Sequence, residues 1–176
     1  APEGIVVTWD NKVYVADTYN HRIQQFDPIG GFVRAWGDSG AAAGQFNRVT
    51  GVAVSSLGDV YAADCGNHRV QVFSATGAWR FAFGGPGTGH GEFNFPQGLA
   101  CDAADQLLVA EGNNRIQVFD REGAYRDAWG QWGNLEGEFS LPFSVAIAPD
   151  GAVFVADALN ARIQKFRPPA RGRTRS

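Results

Sequence analysis

Four copies of one pattern, four short strand-like runs in each copy, and glycines placed at the joints predict an all-β chain folded as a β-propeller. The copies read VADTYNHRIQQF (15–26), AADCGNHRVQVF (62–73), VAEGNNRIQVF (109–119) and VADALNARIQKF (155–166). Their arginines, Arg22, Arg69, Arg115 and Arg162, are spaced 47, 46 and 47 residues apart. A repeat of about 45 residues, each a four-stranded antiparallel sheet, is the sequence signature of a propeller blade.

Each element follows from local chemistry. In the second copy the runs GVAV, DVYAA, RVQVF and AWRFAF are rich in β-branched and aromatic residues, and SSLGD and SATGA supply turns between them. No helical period of useful length competes. The four units span about 2–48, 49–95, 96–141 and 142–166. Each opens on an echo of PEGIVV (2–7), namely VTGVAV (49–54), PQGLAC (96–101) and PFSVAI (142–147). The expected architecture is an arc of four four-stranded blades with these opening runs innermost. The last blade lacks its outer strand because its unit stops at Phe166. A free strand edge there is a route to self-association.

Composition bounds the rest. The 176 residues are 44% hydrophobic and 19% charged, as in a globular chain with a real core. No apolar run approaches the ~20 residues of a membrane helix, so no membrane span is expected. Formal charge is −3, but Arg167, Arg171, Arg173 and Arg175 crowd the last ten residues. Without them, 11 basic residues face 18 acidic ones. An acidic body is a poor surface for phosphate backbones, so a nucleic-acid partner is not expected. Residues 167–176 read as a basic, solvated tail.

The sequence P-x-G-V-A-V, then V-Y-V-A-D-x-x-N-H-R-[IV]-Q-x-F, then a strand ending Trp-Gly closely resembles the NHL-repeat family, over residues 2–166. The copies depart from that pattern at Val49, Glu111, Asn114, Ala161 and Phe83. The resemblance implies an interaction platform for proteins. Some related propellers are lyases or metal-dependent lactonases with sites at the central channel, so a channel-centred hydrolase or lyase is the competing reading.

A residue needed once per blade serves the blade. On that ground the acids Asp17, Asp64, Glu111 and Asp157 are expected to anchor loop amides. Asn20, Asn67, Asn113 and Asn160 are expected to hold left-handed turns, and Arg22, Arg69, Arg115 and Arg162 to pair with nearby acids. The loops GDSGAAAGQF (37–46), GGPGTGHGEF (84–93) and GQWGNLEGEF (130–139) share G-x-x-G-x-x-x-G-x-F. They join strands and open no helix, so they are interblade connections and not phosphate cradles.

Meander parity places the D-x-x-N loops and the glycine loops on one face, with blander turns opposite. Tyr19, Arg48, His68, His90 and Trp132 on that face are the candidate partner contacts. His21, His68 and His90 share it, yet zinc is not expected, because neighbouring sheets lie ~10 Å apart and zinc needs ligand atoms much closer. His68 and His90 meet only if the glycine loop folds inward. Cys65 and Cys101 fall near opposite ends of the sheet and are not expected to pair. No catalytic residue, metal or cofactor is expected. A non-catalytic, protein-binding scaffold is the favoured reading.

Overall fold

The computed structural model describes residues 1–167, and residues 168–176 of the basic tail lie outside the described residues. Blade one comprises β1 (Gly4–Val7), β2 (Val13–Asp17), β3 (Arg22–Phe26) and β4 (Phe32–Trp36). The next glycine loop carries the two-residue strands β5 (Asp38–Ser39) and β6 (Gln45–Phe46). Blade two is β7 (Val49–Val54), β8 (Val60–Asp64), β9 (Arg69–Phe73) and β10 (Trp79–Phe83). Blade three is β11 (Pro96–Cys101), β12 (Leu107–Glu111), β13 (Arg115–Phe119) and β14 (Tyr125–Trp129). Blade four has three strands, β15 (Pro142–Ile147), β16 (Val153–Asp157) and β17 (Arg162–Phe166). Every blade is an antiparallel meander, and β17 pairs with β16 alone among the described residues.

The first strand of each blade lies against the first strand of the next, around a common channel. Glycine makes that approach possible. A Cβ on Gly4 would overlap the Thr50 carbonyl, one on Gly51 the Gln97 carbonyl, and one on Gly98 the Ser144 backbone. This is the physical reason for the glycine in P-x-G. Blade four, which has no blade behind it among the described residues, carries Ser144 at the equivalent place.

The core consists of three interblade layers. Between blades one and two, Tyr14, Ala16 and Ile23 pack on Val52, Val60, Ala62 and Phe73. Tyr61, Ala63 and Val70 meet Leu99, Leu107, Val109 and Phe119 in the second layer. Leu108, Ala110 and Ile116 meet Val145, Val153 and Val155 in the third. Phe46, Phe93 and Phe139, the last residues of the three glycine loops, each wedge into one layer and are fully buried. Phe83, which stands where Trp36 and Trp129 sit in other blades, fills the same volume against Phe93 and Phe119.

Blades two and three are therefore covered on both faces, and blades one and four on one. Ile5 and Val7 on blade one are 68% and 58% exposed, and Ile163 on blade four is 72% exposed.

Candidate functional site

The recurring acid is the centre of a clamp. In blade two, Asp64 accepts hydrogen bonds from the Asn67 amide (2.9 Å), Arg69 Nε (2.8 Å), Gln71 Nε2 (3.1 Å) and the backbone N–H of Asn47 (2.7 Å). The same donors grip the preceding glycine loop. Asn67 donates to the Gly40 carbonyl, Arg69 Nη2 to the Ala42 and Gln45 carbonyls, and Gln71 Nε2 to Gln45 O at 2.6 Å. Blades three and four repeat this, with Asn113 on Gly87, Arg115 on Gly89 and Glu92, Asn160 on Gly133, and Arg162 on Leu135 and Glu138. In these three blades the motif ties the blade to the loop arriving from the blade before. The acid–arginine ion pairs occur in all four blades.

Glu111 explains its own departure. Its loop is one residue shorter, and the extra methylene carries the carboxylate to the Asn94 and Asn113 backbone N–H groups. Asp157 shows how a buried carboxyl stays ionised. Burial raises its pKa, but bonds from Ser140 N–H, Asn160, Arg162 and Gln164 outweigh that and hold it below the ordinary carboxylate value. Asp17 is likewise held low: burial pushes up, and Asn20 and Arg22 pull down further.

One expectation needs correction. The asparagines do not adopt the left-handed conformation. That falls on the next residue, His21 (φ 52°), His68 (φ 55°), Asn114 (φ 62°) or Ala161 (φ 51°), because the asparagine closes a 3-10 turn and its amide is held by the clamp. The histidine also has a structural use. His21 Nδ1 accepts from Arg48 N–H and His68 Nδ1 from Phe95 N–H, while Asn114 Oδ1 does the same for Leu141 N–H. An imidazole and an amide are interchangeable there because either offers one acceptor at similar reach.

The recurring glutamines Gln24, Gln71, Gln117 and Gln164 belong to the motif, but the sequence pattern assigns them no role. Gln71 and Gln117 are fully buried in mid-strand, and each of the last three both donates to a loop carbonyl and accepts a loop N–H, from Gly44, Gly91 and Gly137. A polar residue recurring in the middle of an apolar strand was the available signal.

The candidate contacts are strung along the loop face. Tyr19 projects from the blade-one 3-10 turn, 68% exposed. Arg48 lies beside that loop, bonded through its backbone to His21 and paired with Glu3 at 3.6 Å. His68 packs on Phe95, centroids 4.5 Å apart, at the junction of blades two and three. His90 does not fold inward toward it, and stacks instead on Tyr125 of the outer strand β14 at 4.4 Å. Trp132 stands in the third glycine loop, 76% exposed. Phe95, half exposed ahead of β11, belongs with this set and was not anticipated. The opposite face is less bland than expected, since Trp9, Ile29 and Leu57 are exposed on its turns.

The channel offers little chemistry. A cavity of about 260 Å³ at its loop end is lined by strand backbone and apolar side chains, with Thr50, Gln97 and Ser144 as polar members and Glu3 as its one ionisable residue. No group of three or more His, Cys, Asp or Glu side chains gathers within metal-binding range among the described residues. Burial pushes the free thiols up, Cys65 to about 11 and Cys101 to about 12, so both remain protonated at neutral pH.

Comparison with known proteins agrees with this architecture. The NHL repeat family profile matches residues 1–26 and 46–73. A 56-residue stretch is 43% identical to RING finger protein nhl-1 of Caenorhabditis elegans, covering 32% of this chain and 6% of that protein. Among solved structures, a chain of the nidogen/laminin complex superposes with a TM-score of 0.74 at 17% identity, over 94% of this chain and 60% of that one. A streptogramin B lyase gives 0.68 at 19% identity, over 97% and 55%. The WD40 propeller domain of Doa1 gives 0.67 at 13% identity, over 97% and 51%. This chain thus spans between half and two thirds of these structures, and at such identities the likeness is one of fold.

Proposed function

We propose that this chain, an NHL-repeat β-propeller, is a non-catalytic scaffold that binds a protein partner through its loop face. The observation that carries the reading is a division of labour. The acids, arginines and glutamines that look like chemistry serve the interblade clamps of blades two to four, whereas the side chains of Tyr19 and Trp132 project from the loop face and Phe95 lies half exposed beside His68. Aromatic side chains of this kind supply large contact area at low entropic cost. A lyase or hydrolase reading would need acid–base groups converging on the channel, and Glu3, paired with Arg48, is a meagre set. The free edge of β17 offers a second mode of association, with another copy of the chain.

The test is affinity capture with Tyr19→Ala, Arg48→Ala and Trp132→Ala combined, against Arg121→Ala in an opposite turn. A partner held by the native chain and by Arg121→Ala, and released by the triple variant, supports the reading. Loss with Arg121→Ala alone would refute it.

A further inference from the structure

We propose that the third glycine loop (130–139) and the D-x-x-N turn of blade four form a docking patch for a basic, apolar segment of a protein partner, one that sets leucine-like or aromatic side chains beside lysine or arginine. The patch belongs to the loop face and so rests on the scaffold reading, to which it adds the chemistry of the partner.

The three glycine loops share one backbone. In each, the N–H of the fourth residue, Gly40, Gly87 or Gly133, donates to the carbonyl of the closing phenylalanine. In each, the residue before that phenylalanine donates to the carbonyl of Ala42, Gly89 or Leu135. What that shared backbone displays differs between loops. The third residue is Ser39, Pro86 or Trp132, and the sixth is Ala42, Gly89 or Leu135. Small side chains therefore satisfy the fold at both positions. Trp132 and Leu135 are 76% and 67% exposed and belong to no core cluster among the described residues. Ser39, Pro86, Ala42 and Gly89 are exposed as well, in loops that lead into four-stranded blades. The exposure thus belongs to the loop and not to the strand count of blade four.

Leu159, 71% exposed, joins them. Its N–H donates to the Ser140 carbonyl at 3.0 Å, and the adjacent Asn160 holds the Gly133 carbonyl, next to Trp132, at 2.8 Å. Arg162 holds the Leu135 carbonyl at 2.6 Å. One clamp mounts all three apolar side chains on a fixed backbone, so a partner need order little of it. Clustered large apolar side chains kept in water mark contact surfaces, and aromatic anchors dominate such contacts.

Charge selects the occupant. Glu136, at the place of Ala43 and His90, is exposed. Glu138 accepts from the Gln131 amide and the Leu135 N–H, each at 3.0 Å, and these bonds hold its carboxyl below the ordinary value, so it is ionised at neutral pH. Arg162, the nearby cation, gives Nε to Asp157 and its Nη groups to loop carbonyls. Residues 130–141 carry two acids and no base. An apolar patch with an acidic rim attracts an apolar segment flanked by cations, and repels an acidic segment or a phosphate backbone.

The test pans a phage-displayed random peptide library on the intact chain. Recovered peptides are expected to be richer than the input in apolar residues and in lysine and arginine. Synthesised with a fluorescent label, they should bind the double variant Trp132→Ser with Leu135→Ala about tenfold or more weakly than the native chain. Loop one carries those same small residues, so the double variant should keep the native urea midpoint. Glu136→Lys, which removes no apolar contact, should also weaken binding, as should raised salt. Recovery of acidic or purely polar peptides, or undiminished binding to the double variant, would overturn the proposal. Peptides lost instead with Tyr19→Ala and Arg48→Ala would leave the loop-face reading standing and this patch refuted, and peptides that survive both pairs would refute both. A dimer in sedimentation that the double variant abolishes would also overturn it, since a second copy would then be the occupant.

Discussion

Replacing Asp64 by alanine removes a fully buried acceptor on which Asn67, Arg69, Gln71 and the Asn47 N–H converge. Arg69 would keep its bonds to Ala42 and Gln45 carbonyls but lose its ion-pair partner among the described residues. Breaking a buried ion pair from one side costs about 3–5 kcal/mol. For a domain of this size that lowers Tm by about 6–20 °C, at roughly 2–4 °C per kcal/mol. Asp17→Ala provides the internal control. Its clamp holds no loop, and the freed Arg22 is already half in water, so the loss should be about 1–2 kcal/mol. Urea unfolding followed by tryptophan fluorescence measures both. Equal losses, or a larger loss for Asp17→Ala, would refute the reasoning that the motif stabilises by binding the loop before it.

Gly98→Ala should destabilise by about 1–3 kcal/mol or more, because its Cβ would overlap the Ser144 backbone, whereas Ser144→Ala should be nearly neutral. The same unfolding assay checks this, and similar effects at the two sites would contradict it. Stability should also fall in acid. Asp17 and Asp157 have folded pKa values below the unfolded value of about 3.9, so their contribution is complete above that pH and is lost as pH falls through the folded values. Unfolding midpoints compared at pH 7 and pH 3 should show the drop, and Asp157→Asn should reduce it.

The blade count, the strand order and the three described strands of blade four were legible in the sequence, because period-2 strands and turn glycines are local signals and the repeat copied them four times. The structural use of the D-x-x-N-x-R motif was legible from the same repetition. The partners of that motif did not. Gln71 looks like an ordinary strand residue until the fold brings Gln45, 26 residues earlier, against it. The left-handed residue was displaced by one because the asparagine side chain is drawn into a bond with an acid whose position only the folded hairpin specifies. His90 could not be placed from sequence, since a glycine-rich loop has no local preference strong enough to direct it, and stacking on Tyr125 does so instead. Ser144 and Ile163 read as minor variations of a repeat. Tertiary structure gives them their surroundings, because among the described residues blades one and four have one neighbour where blades two and three have two, and a position's environment depends on that neighbour and not on its own residue.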